Sequence, residues 1–261
     1  MDNKKLKSEN NKLVIAISSR ALFNLDQSHK IFKEKGIEAY AKHQQENEHV
    51  ILEPGVGFTL VKKLLKLNSK KTPIDVILLS RNSADTGLRI FNSIEHYDLN
   101  ISRAAFTRGE STHPFVGAFE ADLFLSSNYN DVQKALQSGY AAASIVESKS
   151  NNSHPSQLRI AFDGDAVIFS DESERIFQEK GLEAFHENEI LSEKIELKAG
   201  PFKSFLVSLQ KIQSTFPEED NPIRTALVTA RSAPSHRRVI HTMRKWGIRI
   251  DESFFLGGLE K

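Results

Sequence analysis

The chain contains no cysteine, which excludes disulfides and thiolate metal sites outright. It also has no long hydrophobic run. Its longest apolar stretches are strand-sized, and Met1 to Asn11 is polar and charged rather than built like a secretion signal. No membrane partner is expected, and the cytoplasm is the expected location. Net charge is missing too: 35 basic residues face 34 acidic ones. That balance argues against a broad nucleic-acid footprint, although a local basic pocket for a small anion remains compatible with it. What is present is length, since 261 residues can bury a sizeable core in one or two domains. Residues 2–12 and 147–157 lack periodicity and read as a loose tail and a linker.

The most informative segment is Leu158 to Val167, an apolar run that breaks into Asp163-Gly164-Asp165. Such a run reads as a buried parallel strand, with the aspartates at its carboxyl end, where open α/β sheets place ligands. In an extended strand residues i and i+2 point the same way, so both carboxylates can face one site. Two like charges held that close call for a cation between them. Mg²⁺ accepts carboxylate oxygens while keeping waters that a phosphate can replace. The pattern therefore predicts metal-assisted phosphoryl transfer, with Asp163 and Asp165 as metal-site residues. Asp163 is the candidate nucleophile and Asp165 the candidate acid and base, and Gly164 permits a tight backbone beside the ligand. Two turn aspartates at a strand end would be the alternative if the motif stood alone.

The chain also repeats itself. Residues 13–40 align without gaps to 158–185, and 13 of the 28 pairs are identical, including Glu34-Lys35-Gly36 with Glu179-Lys180-Gly181. A weaker match joins 73–106 to 222–255. Shared α/β patterning would not reproduce Glu-Lys-Gly-x-Glu-Ala, so a duplication is inferred, split near residue 150. Strands are expected at 13–18, 75–80, 103–107 and 122–126, then at 158–163, 224–229 and 253–256. Helices are expected near 56–68, 85–96, 201–214 and 234–246. This alternation predicts parallel sheets with helices on both faces. The domains read as 13–146, a degenerate repeat, and 158–261, a catalytic unit with a small helical cap at about 170–198. In the first copy Ser18-Ser19-Arg20 stands where the second has Asp163-Gly164-Asp165, so it cannot supply the nucleophile. A scaffold or substrate-covering role is expected for it.

Further candidates follow on later strand ends. Thr229, Ala230, Arg231 and Ser232 lie at a strand-to-helix junction, where a hydroxyl and backbone N–H groups suit a phosphate, although Thr229 also fits an ordinary helix cap. Lys261 follows the strand at 253–256 and could neutralise phosphoryl oxygens, or be a solvated tail residue. His96-Tyr97-Asp98 reads either as a substrate contact or as a helix end packed on the sheet.

The order Asp-x-Asp, Thr, Lys on successive strand ends resembles the haloacid dehalogenase superfamily of phosphohydrolases. Ile17 to Phe23, Asn92 to Leu99, Ala161 to Arg175, Pro222 to Thr225 and Val228 to Ala233 are similar to the cytosolic 5′-nucleotidase I family. The resemblance implies a haloacid-dehalogenase-like fold with Asp163 as nucleophile, Asp165 as acid and base, Thr229 on the phosphate and Lys261 as the family lysine. It further implies a cytosolic, Mg²⁺-dependent enzyme that dephosphorylates nucleoside monophosphates, AMP prominently, and tends to oligomerise. A phosphatase of another small phosphomonoester and a phospho-accepting module without turnover are the alternatives. The family carries a further acid-bearing strand after the lysine, whereas this chain ends at Lys261, so weak metal binding and weak activity are expected of these residues alone.

Overall fold

The computed structural model describes residues 12–69, 71, 73–147 and 156–258, which divide into two compact units, 1–153 and 154–261. Unit 1 begins with β1 (Leu13–Ser18), α1 (Ser19–Leu22), α2 (Asp26–Glu46), α3 (Phe58–Lys66) and β2 (Ile74–Ser80). There follow α4 (Leu88–His96), β3 (Arg103–Phe106), α5 (Pro114–Ala118), β4 (Leu123–Ser126), α6 (Tyr129–Gln137) and β5 (Ala142–Ser144). Its five strands lie in the order β3-β2-β1-β4-β5 and every pairing is parallel. β1 and β2 read Leu-Val-Ile-Ala-Ile-Ser and Ile-Asp-Val-Ile-Leu-Leu-Ser, unbroken enough to be covered on both faces. Leu13, Ile15, Ala16, Ile17, Val76, Ile77, Leu78 and Leu79 are all fully buried.

Unit 2 runs β6 (Leu158–Asp163), α7 (Glu172–Leu191), α8 (Lys203–Gln213), β7 (Ile223–Thr229), α9 (His236–Lys245) and β8 (Glu252–Phe255). Its sheet is parallel in the order β6-β7-β8, repeating β1-β2-β3. β1 is flanked by strands on both sides, whereas β6 is an edge strand among the described residues and exposes Arg159 and Ala161. Both sheets thus have the parallel α/β architecture expected from the alternating pattern. Two elements of unit 1, the short β5 and the helix α6, carry too little apolar run to announce themselves.

The duplication extends to individual hydrogen bonds. Ser28 Oγ donates to Gln44 in unit 1, and Ser173 Oγ donates to Glu189 in unit 2. Arg89 Nε donates to the Val50 carbonyl, as Arg238 Nε does to that of Ile195. The N–H of Leu52 reaches Ser93 Oγ, and that of Leu197 reaches Thr242 Oγ1. Gly36 and Gly181 break α2 and α7 with nearly the same left-handed φ, 80° and 82°. The gapless alignment fails at one place. Phe23 bridges to Pro54 and Phe169 bridges to Ala199, so Phe169 rather than Ile168 is the counterpart of Phe23. The extra residue lies in the turn Gly164–Ile168, where Ala166 adopts φ 61°.

Candidate active site

The site is built on the carboxyl ends of β6 and β7. Asp163 closes β6 in register with Val228, one residue before Thr229 closes β7. Asp163 and Asp165 both have extended backbone (φ −70°, ψ 149° and φ −73°, ψ 141°), which sets the two side chains on the same side of the turn. Gly164 between them lies against Thr229: a Cβ on Gly164 would stand 3.2 Å from Thr229 Cβ and Oγ1. That is tighter than most real Cβ contacts, so the glycine eases the close approach of the two strand ends. Thr229 is 1% exposed, and its Oγ1 accepts the Arg231 N–H at 3.3 Å. The chain beyond β8 runs alongside, with the N–H groups of Leu256 and Gly258 donating to the carbonyls of Thr229 and Ala230. Lys261 lies outside the described residues.

Arg231 is the centre of the charge distribution. Its Nε and Nη2 grip Asp165 at 2.9 and 2.7 Å, and its Nη1 donates to Glu189 at 2.5 Å. Glu189, from the last turns of α7, also accepts from Arg238 Nη1 at 2.9 Å and from Ser173 Oγ at 2.8 Å. Arg231 is only 3% exposed, and the face of Phe185 lies 5.4 Å from its guanidinium carbon. Burial alone would push the guanidinium's pKa down; the hydrogen bonds and charge of Asp165, then Glu189, hold it above the ordinary value. Arg231, expected on the substrate, is thus turned inward and fastens the aspartate turn to α7. Ser232 is half-buried, and its Oγ donates to the Ala233 carbonyl at 3.3 Å.

Glu189, Arg238, Ser173 and Phe185 were not singled out by motif. The repeat did hold a signal for two of them, since Ser173 and Arg238 are identical to Ser28 and Arg89. In unit 1, Tyr97 packs: its hydroxyl donates to the Leu52 carbonyl and its ring lies against Phe23 and Phe58, while His96 is exposed.

A family model described as 5′-nucleotidase matches residues 5–261, almost the whole chain. The chain belongs to the 5′-nucleotidase family. Among curated relatives of this 5′-nucleotidase-family chain, human cytosolic 5′-nucleotidase 1B is 40% identical over 265 residues, covering 96% of the chain. The match takes in 43% of that relative, so the chain spans less than half its length. No solved structure matches the chain. Among the described residues no helix is long and apolar enough to cross a membrane.

The donor set suits a hard cation in kind but not in number. Asp163 and Asp165 offer carboxylate oxygens at one strand end, yet Asp165 is engaged by Arg231. No group of three or more His, Asp or Glu side chains able to hold a metal forms among the described residues. The residues present therefore fit only part of a Mg²⁺ shell.

Proposed function

We propose that the protein hydrolyses nucleoside 5′-monophosphates, AMP among them, to nucleoside and phosphate through an aspartyl-phosphate on Asp163. The observation that carries this reading is the placement of Asp163, Asp165 and Thr229 on adjacent parallel strand ends in a chain of this family. The carboxylate of Asp163 attacks phosphorus as the bond to the nucleoside 5′-oxygen breaks, and Asp165 gives that oxygen its proton. Water then attacks the acyl phosphate, Asp165 accepts its proton, and phosphate leaves. The Thr229 hydroxyl and the N–H groups of Ala230 to Ser232 are the proposed phosphoryl contacts. Asp165 must exchange Arg231 for substrate before it can serve, because both of its oxygens are occupied by the guanidinium.

Mg²⁺ is proposed as the counter-charge, with Asp163 and Asp165 as this chain's share of its ligands; when bound it would offset the charge on the transferring phosphoryl group. Lys261 is proposed to add positive charge there. The segment 170–198, mostly α7, is proposed as the cap. A cytoplasmic location and self-association are proposed with the same reading, on the family resemblance. Phosphate release from AMP, compared with sugar phosphates, tests the substrate class. Asp163→Asn should lower turnover at least ~10³-fold with the fold intact. Full turnover by that variant would remove Asp163 as nucleophile.

A further inference from the structure

Unit 1 has an unassigned cleft at the place in its fold where unit 2 carries the aspartates. Its strand order reverses between β1 and β4, and parallel sheets open a crevice at the carboxyl ends of strands that diverge in this way. A cavity of about 110 Å³ lies there, lined by Ser18 at the end of β1, Arg20 just beyond it, Asn82 after β2, and Ser126 and Ser127 at the end of β4. Relative to unit 2, the two carboxylates have become a hydroxyl and a guanidinium. Carboxylates need a cation before a phosphate can approach them, whereas a hydroxyl and a guanidinium donate to phosphate directly.

Asn82 supplies the second observation. Arg89 Nη1 and Ser28 Oγ donate to Gln44 Oε1 at 3.2 and 3.3 Å, which turns the Gln44 amide Nε2 onto the Tyr40 oxygen at 3.2 Å. The Tyr40 hydroxyl is then the donor to Asn82 Oδ1, at 2.8 Å. This chain fixes the orientation of the Asn82 amide and leaves its buried Nδ2 without an acceptor. A buried donor lacking an acceptor is a costly feature, and Asn82 is among the residues that line the cleft. The single carboxylate on that wall, Asp131, is already matched: Arg81 grips it through Nε and Nη2, and Ser111 and Thr112 donate to it. Arg20 pairs with Asp26 in an exposed ion pair that a phosphate can replace.

We propose that unit 1 reversibly binds the phosphate group of a phosphomonoester or of inorganic phosphate, without divalent metal and without turnover. The proposal does not depend on the reaction assigned to unit 2. Calorimetric titration of the full chain in excess EDTA, with inorganic phosphate and AMP in separate arms, tests it. Saturable binding is expected in at least one arm, and the comparison shows which source of phosphate is preferred. Arg20→Glu and Ser127→Glu, both on the surface, should each weaken it about tenfold or more, while Arg20→Lys should hold it within about threefold. Circular dichroism confirms that each variant folds. Absence of saturable binding at millimolar ligand overturns the proposal. So does binding that survives Arg20→Glu, or that Thr229→Val in unit 2 abolishes instead.

Discussion

Glu189→Gln is the most demanding single test of the site's electrostatics. The Glu189 side chain is wholly buried and, among the described residues, is the one carboxylate in contact with both Arg231 and Arg238. Removing one partner of a buried ion pair costs about 3–5 kcal/mol, because the remaining charge stays desolvated. Here Asp165 continues to offset Arg231, so Arg238 is the cation that loses its partner, and its Nε keeps the Ile195 carbonyl. The lower end of that range, about 3 kcal/mol, is therefore expected. Unit 1 shows how the neutral residue is tolerated: Gln44 accepts from Arg89 there, but Asn82 stands in place of Arg231, so one cation is left rather than two. The double variant Glu189→Gln/Arg231→Asn imports that arrangement, and should be more stable than the sum of the single losses by at least about 1 kcal/mol. Urea unfolding followed by fluorescence reads unit 2 selectively, because the only tryptophan is Trp246, packed on Phe169 and capped by Lys203. A loss under about 1 kcal/mol, or a double variant that is merely additive, would refute the reasoning.

Two other expectations concern the scaffold. Gly200→Ala should cost about 3 kcal/mol, because its Cβ would stand 2.3 Å and 2.4 Å from the main-chain oxygens of Phe169 and Val167. Gly181→Ala has open space but must adopt φ 82°, ψ −177°, a backbone region essentially confined to glycine, so about 2 kcal/mol is expected from the same unfolding experiment; a cost above that of Gly200→Ala would contradict this ordering. On the acid side, burial would raise the pKa of Asp131, but the Arg81 hydrogen bonds and those of Ser111 and Thr112 outweigh it and hold the group below its ordinary 3.8. Asp251 is lowered likewise, with burial opposed by the Thr225 N–H and hydroxyl, Gln213 and Arg249. A depressed folded pKa gives stability that is full above the unfolded value and is lost as pH falls through the folded one. Asp251→Asn should therefore flatten the acid limb of the Trp246 transition below about pH 4, leaving the slope at neutral pH unchanged.

The strands other than β5 were legible because parallel sheets are written in local composition. Leu13–Ser18 and Leu158–Asp163 are apolar runs whose ends coincide with the start of polar turns. The helix α2 was harder to read: Gly36 interrupts it at φ 80°, and it buries only Ser28 and Gln44, so no apolar stripe marks it. β5 has three residues, too few for any period to show. The gapless alignment misplaced Phe169 because compensating length changes on either side of a turn leave the flanking offset unchanged, and only the bridge to Ala199 exposes them.

The candidate site divides along the same line. Asp163, Gly164, Asp165 and Thr229 are near neighbours in strand register, and a motif on strand ends gathers them without knowledge of side-chain direction. The partner of Arg231 is another matter. Glu189 is 42 residues away, on a helix whose exposed faces are crowded with other acids, and nothing local separates it from Glu187 or Glu193. What does separate it is the other copy. The positions equivalent to Ser173, Glu189, Arg231 and Arg238 are Ser28, Gln44, Asn82 and Arg89; Ser28 and Arg89 donate to Gln44, which reaches Asn82 through Tyr40. Ser and Arg are kept while Glu and Arg231 change together, to residues of no charge. That joint change follows if the carboxylate at 189 exists to balance a guanidinium at 231, and the guanidinium exists to hold Asp165. Where the aspartate is a residue of opposite charge, Arg20, neither is needed.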